Sequence, residues 1–166
     1  RGMLGQAVER ELSATEADIA ATDLDLDITD PEAVASYAKR AEPDWIVNCA
    51  AYTAVDQAEE EEEQAAKINV VGPRNLATSA RDVGARLLHI STDYVFDGTL
   101  DRPYREDDPP NPQSAYGRTK LAGEVAVRDV LEEFVIIRTA WLYGLGGKNF
   151  VETMLRLMSD RPEINV

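Results

Sequence analysis

Residues 86–96, Arg86-Leu87-Leu88-His89-Ile90-Ser91-Thr92-Asp93-Tyr94-Val95-Phe96, decide how the rest of the chain reads. A short, nearly continuous apolar run closing on polar residues has the length of a buried strand, predicted over 86–91 and ending at Thr92-Asp93-Tyr94. Helical patterns flank it, over 55–83 before it, with a kink or break expected at Gly72-Pro73, and over 115–131 after it. Further out, 44–51 and 134–138 are two more apolar runs of strand length. Strands that alternate with helices predict parallel βαβ units and exclude a helical bundle or an all-β sandwich.

The ends follow the same scheme. Gly2-Met3-Leu4-Gly5 opens a helical pattern reaching about Leu12, and a short strand is expected over 19–23. Thr29-Asp30-Pro31-Glu32 supplies a capping side chain and a first-turn proline to a helix that runs to about Arg40. After Gly144-Leu145-Gly146-Gly147 a last helix is expected over 150–159, and Ile164-Asn165-Val166 reads as the start of another strand. The expected fold is α/β, a Rossmann-type doubly wound parallel sheet. It lacks the strand that should precede the first glycine turn and most of a carboxyl-terminal substrate domain.

The chain carries 31 Asp and Glu against 17 Lys and Arg, a formal charge of −14, which argues against nucleic acid as a partner. With 44% hydrophobic residues it can bury a core. No apolar run has the length of a membrane span and no basic segment leads into one, so the expectation is a cytoplasmic protein with no membrane partner. Cys49 is the only cysteine and His89 the only histidine, so neither a disulfide framework nor a metal site is expected. Much of the acidity lies in Glu59-Glu60-Glu61-Glu62-Glu63, in Asp23, Asp25, Asp27 and Asp30, and in Glu106-Asp107-Asp108. A solvated helix face with acidic loops accounts for it, as does a high-salt cytoplasm that screens self-repulsion; both readings stay open.

Three features carry chemistry. The first glycine turn leads straight into a helix, as the last part of a phosphate-binding turn does, although a plain tight turn reads the same way. Asp23 stands where a carboxylate can bind adenosine ribose hydroxyls, and the absence of a neighbouring arginine slightly favours NADH over NADPH. Tyr116 and Lys120 are four residues apart on a predicted helix, so phenol and ammonium share a face, and the ammonium should lower the phenol's pKa from about 10. Such a phenol suits a general acid that protonates a developing alkoxide. Thr92, at the end of the preceding strand, can hydrogen-bond the same carbonyl oxygen. Residues 97–114, rich in Pro, Asp and Asn, form a long loop of the kind that usually serves a function. His89 and Cys49 read as packed residues, Trp141 as core or a stacking surface, and Lys148-Asn149 as a diphosphate contact or the start of the last helix.

The glycine turn, Asn48-Cys49-Ala50-Ala51-Tyr52-Thr53, Asn69-Val70-Val71-Gly72, Ser91-Thr92-Asp93-Tyr94-Val95-Phe96, Tyr116-Gly117-Arg118-Thr119-Lys120 and Arg138-Thr139-Ala140-Trp141-Leu142-Tyr143-Gly144 occur in an order that resembles the extended short-chain dehydrogenase/reductases. The resemblance implies that 1–166 is an NAD(P)-binding Rossmann-like domain within a longer chain. It also implies NADH- or NADPH-dependent reduction of the C4 ketone of dTDP-4-dehydro-6-deoxy-L-mannose to dTDP-L-rhamnose. By that resemblance Tyr116 donates the proton, Lys120 lowers its pKa and holds the nicotinamide ribose, and Thr92 orients the carbonyl. Gly2, Met3 and Leu4 match the pyrophosphate turn, and Asp27 and Ile28 match residues near the adenine. Ala50, Ala51 and Tyr52 match the strand end under the cofactor. Asp93, Tyr94 and Trp141 match positions that contact the dTDP-deoxysugar, and Asn69 matches the asparagine of the superfamily's proton relay. A homodimer stays open. The same family includes a dinucleotide-binding regulatory subunit of methionine adenosyltransferase and nucleotide-sugar epimerases and dehydratases. Intact Thr92, Tyr116 and Lys120 favour catalysis over the former, and Tyr94, where a dehydratase wants glutamate, argues against the latter.

Overall fold

The computed structural model describes residues 2–147, 149–161 and 163–164, in two compact units, one of residues 1–23 with 140–166 and one of 24–139. The larger unit holds a parallel sheet of three strands in the order β1 (Trp45–Asn48), β2 (Arg86–Thr92), β3 (Phe134–Thr139). Its register sets Asn48 opposite His89 and Thr92 opposite Thr139. Parallel neighbours cannot be joined by a tight turn, so each connection is a helical crossover. Between β1 and β2 run α3 (Val55–Ala58), α4 (Glu62–Ala66), a π-turn (Lys67–Val71) and α5 (Gly72–Val83); between β2 and β3 runs α6 (Ala115–Arg128). α2 (Pro31–Ala41) packs on α5. It starts as its sequence predicts: Asp30 caps the backbone N–H groups of Glu32 and Ala33, and Pro31 sits in the first turn.

Two small cores hold this unit. Val34, Leu76, Ala77, Ala80, Leu87, Val127 and Leu131 fill the space between sheet and helices. Ala58, Ala65, Ala115 and Tyr116, with Tyr52 and Val55, form a second cluster at the C-terminal end of the strands. At Gly123 a Cβ would collide with the carbonyl oxygen of Asn69, so α6 lies directly on the π-turn only because that position carries no side chain.

The smaller unit contains α1 (Met3–Ser13) and α7 (Phe150–Asp160). Asn149 caps α7 at Glu152 N–H and donates to the carbonyls of Gly144 (2.9 Å) and Gly147 (3.0 Å), which fixes the glycine-rich loop; Gln6 of α1 donates to Gly146 (3.3 Å). Asn149 thus starts the last helix, while Lys148, Asn165 and Val166 lie outside the described residues.

Two expectations are corrected. Among the described residues no strand forms over 19–23: the ladder hydrogen bonds that define the sheet join only β1, β2 and β3. The helix expected over 55–83 is interrupted at Glu59–Glu61, where the chain turns between α3 and α4. At Gly72-Pro73 it passes through the π-turn directly into α5, with Pro73 in a first-turn position that needs no N–H.

Candidate active site

Side chains alternate along β2, so Leu87, His89 and Ser91 point beneath α5 and α6 and are buried, and Thr92 ends the strand, also buried. The Thr92 hydroxyl accepts the N–H of Tyr94 (3.2 Å) and donates to Asp93 Oδ1 (3.1 Å). Tyr116 lies in the first turn of α6, nearly buried, and its ring meets that of Tyr94 edge-on at 5.5 Å. At Gly117 a Cβ would strike the Tyr94 carbonyl, so the glycine of the Tyr-Gly pair lets α6 sit against the turn that carries Asp93 and Tyr94.

Burial pushes the Tyr116 phenol above its ordinary pKa, and the negative charge of Asp93 adds to that, with the nearby Thr92 hydroxyl acting in the opposite direction. This corrects the expected lowering by Lys120. The helical spacing does bring both residues to the buried side of α6, but the Lys120 ammonium donates to the carbonyl of Ile90 at 2.6 Å. Burial lowers Lys120 itself to about 8, with Glu124 partly opposing.

One strand position back, Ser91 donates to Glu124 Oε1 at 2.6 Å, and the same carboxylate takes Arg138 Nε (2.9 Å), Arg138 Nη2 (2.7 Å) and Arg128 (3.1 Å). Burial raises the Glu124 carboxyl, but these donors outweigh it and hold it below its ordinary value. Arg138 also lies over the Phe96 ring at 4.9 Å, and Phe96 stacks on Tyr104 of the long loop. That loop is tied internally: Asp97 accepts from Thr99, Tyr104 and Asn111, and Arg102 forks onto Asp108 with two 2.7 Å contacts.

The end of β1 is equally determined. Asn48 Oδ1 accepts the N–H of Ala50 (3.0 Å), so its amide nitrogen faces His89 Nδ1 (3.0 Å), and the imidazole proton belongs on Nε2. His89 is fully buried and held neutral, its pKa lowered to about 3 by burial and by the Lys120 charge, as the packed-residue reading expects. Its Nε2 is a buried polar atom without a partner. Cys49 is half-buried, with its thiol pushed up by burial. Asn69 accepts the N–H of Tyr52 (2.9 Å) and donates to the Tyr52 carbonyl (3.1 Å) and to Thr119 (3.1 Å), so its amide pins the strand end to α6. Asp27 accepts from the N–H and hydroxyl of Thr29, both at 2.8 Å; the Ile28 side chain packs into the core and its carbonyl takes Asn75 (3.0 Å). Ala51 and Tyr52 are half-buried beside this network.

Gly2, Met3, Leu4, Asp23 and Trp141 belong to the smaller unit. Gly2, which has no side chain to cap with, precedes the eleven-residue α1, whose first turn carries no acidic residue, and there is open space where a Gly2 Cβ would stand. An uncapped helix start of this kind fits a dinucleotide's diphosphate. The loop 144–147 lies beside Met3, a juxtaposition that spacing along the chain does not announce. Trp141 is exposed, not core, with a left-handed backbone (φ 52°), and its ring is edge-on to Phe150 at 5.4 Å. Sequence reading missed the grip on Glu124 by Arg138 and the pairing of Asn48 with His89, since the sheet register sets Asn48 beside His89 and Arg138 beside Ser91, and only the packing of α6 on β2 brings Glu124 to them.

Parallel βαβ units that end in a threonine facing a Tyr–Lys helix are the architecture of the extended short-chain dehydrogenase/reductases. Within that class, the chain belongs to the family described as the RmlD substrate binding domain, whose model matches residues 1–166. It is 54% identical over 140 residues to a dTDP-4-dehydrorhamnose reductase of Streptomyces griseus, covering 84% of this chain and 46% of that protein. The crystal structure of a dTDP-4-dehydrorhamnose reductase from Clostridium acetobutylicum superposes with a TM-score of 0.96 at 47% identity, covering 99% of this chain and 59% of that one. That of the Bacillus anthracis dTDP-4-dehydrorhamnose reductase in complex with NADP gives 0.94 at 45% identity, covering 96% and 57%. The chain spans about half the length of the curated relatives it matches, 46% of the first and 49% of a Bacillus subtilis spore coat polysaccharide biosynthesis protein.

Proposed function

We propose that the full-length protein reduces the C4 ketone of dTDP-4-dehydro-6-deoxy-L-mannose to dTDP-L-rhamnose, using NADH or NADPH, and that residues 1–166 are its NAD(P)-binding domain. The observation that carries this reading is the buried Thr92 at the C-terminal end of β2 together with the nearly buried Tyr116 in the first turn of α6, at the strand end where open α/β sheets receive their ligands. Burial keeps the phenol protonated, the state a proton donor must start from. A reduced nicotinamide, when bound, supplies hydride to the carbonyl carbon. Tyr116 gives its proton to the carbonyl oxygen as that C–O π bond opens, so one hydride and one proton complete the alcohol. Thr92 orients the oxygen, and the Lys120 ammonium would hold the nicotinamide ribose.

For the remaining ligand contacts, Gly2, Met3 and Leu4 would receive the diphosphate, with Asp23, Asp27 and Ile28 toward the adenosine and Ala50, Ala51 and Tyr52 under the cofactor. Asp93, Tyr94 and Trp141 would meet the dTDP-deoxysugar. The names of the Streptomyces and Clostridium relatives support the sugar, and the NADP complex of the Bacillus relative supports a nicotinamide dinucleotide. Asp23 without a neighbouring arginine supports NADH. A cytoplasmic location, a homodimer and adaptation of the −14 chain to high salt complete the proposal.

The test follows oxidation of NADH and of NADPH by the full-length protein with this dTDP-keto sugar, at low and at molar salt. Turnover with one coenzyme is the expected result, strongest at high salt if the acidity is adaptive. Tight dinucleotide binding without turnover would overturn the reading and favour a regulatory, non-catalytic role.

A further inference from the structure

We propose that Glu59 is a positioning residue for Tyr116, holding the first turn of α6 from a different part of the chain. The geometry stands by itself; only the consequence for turnover rests on the reductase reading. A helix start leaves its first amides without internal partners. In α6 the Ser114 hydroxyl takes the N–H of Gly117 (3.1 Å) and the Ser114 carbonyl takes that of Arg118 (2.9 Å). The N–H of Ala115, immediately before Tyr116, goes instead to Glu59 Oε1 at 2.7 Å, 56 residues away in sequence. Two residues beyond Tyr116, Arg118 forks onto Glu62 (3.1 and 2.9 Å) and approaches Glu59 at 3.9 Å. Tyr116 is therefore gripped on both sides by the segment that carries α3 and α4. The same segment reaches the other wall of the site, where Tyr52 donates its hydroxyl to Glu61 at 2.8 Å.

The energetics separate position from stability. Glu59 is 51% exposed and Arg118 45%, and exposed ion pairs contribute little to folding. A carboxylate on a helix N-terminal amide, by contrast, is a directed hydrogen bond favoured by the helix dipole. Its loss should free the first turn of α6 without unfolding the protein.

The test uses the full-length protein labelled with 3-fluorotyrosine, the Tyr116 signal being identified by its disappearance in Tyr116→Phe. Glu59→Ala should broaden or split that signal and lower kcat by about tenfold to a hundredfold, the scale of a misplaced reacting group. KM and dinucleotide affinity should stay within about twofold, because neither depends on where the phenol points. Glu59→Gln keeps an acceptor oxygen and should restore the single signal and most of kcat. A sharp, unmoved Tyr116 signal with wild-type kcat in Glu59→Ala would overturn the proposal, as would Glu59→Gln behaving like alanine. Should Glu59→Ala fail to fold, Arg118→Gln decides: a disturbed Tyr116 signal supports the grip and an undisturbed one refutes it. If the wild-type protein turns over no keto sugar while the fluorine pattern follows expectation, the positioning stands and the reductase reading falls.

Discussion

Two ends of the contact between β2 and α6 lie one strand residue apart and are built on opposite terms. At Ser91 the Glu124 carboxylate is fully buried and saturated, with Ser91, Arg128 and both faces of the Arg138 fork upon it. At Thr92 the polar groups are few: a hydroxyl, the Tyr116 phenol, and beside them Asp93 and the half-exposed Tyr94. A buried charge is tolerated only when its partners are complete, so the first end is scaffold. The second keeps a proton-bearing group, the nearly buried Tyr116 phenol, beside the half-exposed Tyr94. Burial thus shifts both groups, but only the saturated one is returned below its ordinary pKa.

The contrast is open to attack from both sides. The largest effect expected is from Tyr116→Phe, which removes the phenolic hydroxyl and keeps the ring: reduction should fall by about a thousandfold while dinucleotide binding and the urea midpoint hold. Surviving activity would remove Tyr116 from the donor's role. Glu124→Ala should do the reverse, costing about 3 kcal/mol in urea unfolding because Arg138 and Arg128 lose their buried partner. If the loss appeared in kcat with stability intact, the scaffold assignment would be wrong.

The effect that vanishes near neutral pH is a slope from His89. Its pKa is near 3 in the fold and about 6.5 when unfolded, so below pH 6.5 the unfolded chain binds the extra proton first. Stability present above pH 6.5 should be lost as pH falls toward 3, at up to about 1.4 kcal/mol per pH unit from this group. Glu124, held below its ordinary value, acts in the same direction as it protonates. Urea midpoints measured across that range should show a slope that His89→Asn flattens; an unchanged slope would mean that the imidazole is not held neutral.

Local pattern was enough for much of this. The cap at Asp30, the first-turn Pro31 and the three strands follow from spacing and composition, because those signals act over a few residues. Tyr116 and Lys120 on one helix face follow from the period of 3.6. The run Glu59–Glu63 was less legible. A row of like charges reads as a solvated face, whereas Glu59 caps α6, Glu61 takes the Tyr52 hydroxyl and Glu62 pairs with Arg118. Those partners come from other parts of the chain, which no local pattern names.

By itself, then, the amino-acid sequence determined the βαβ alternation, the strand that ends at Thr92 and the residue types at its mouth, since these depend on hydrophobic period and capping. Only the tertiary structure decided the protonation of the site. Whether Lys120 faces the phenol or the Ile90 carbonyl, and whether burial outweighs charge at Tyr116, depend on what surrounds each group in three dimensions. Desolvation and hydrogen bonding are properties of a place, and residues distant in sequence make the place.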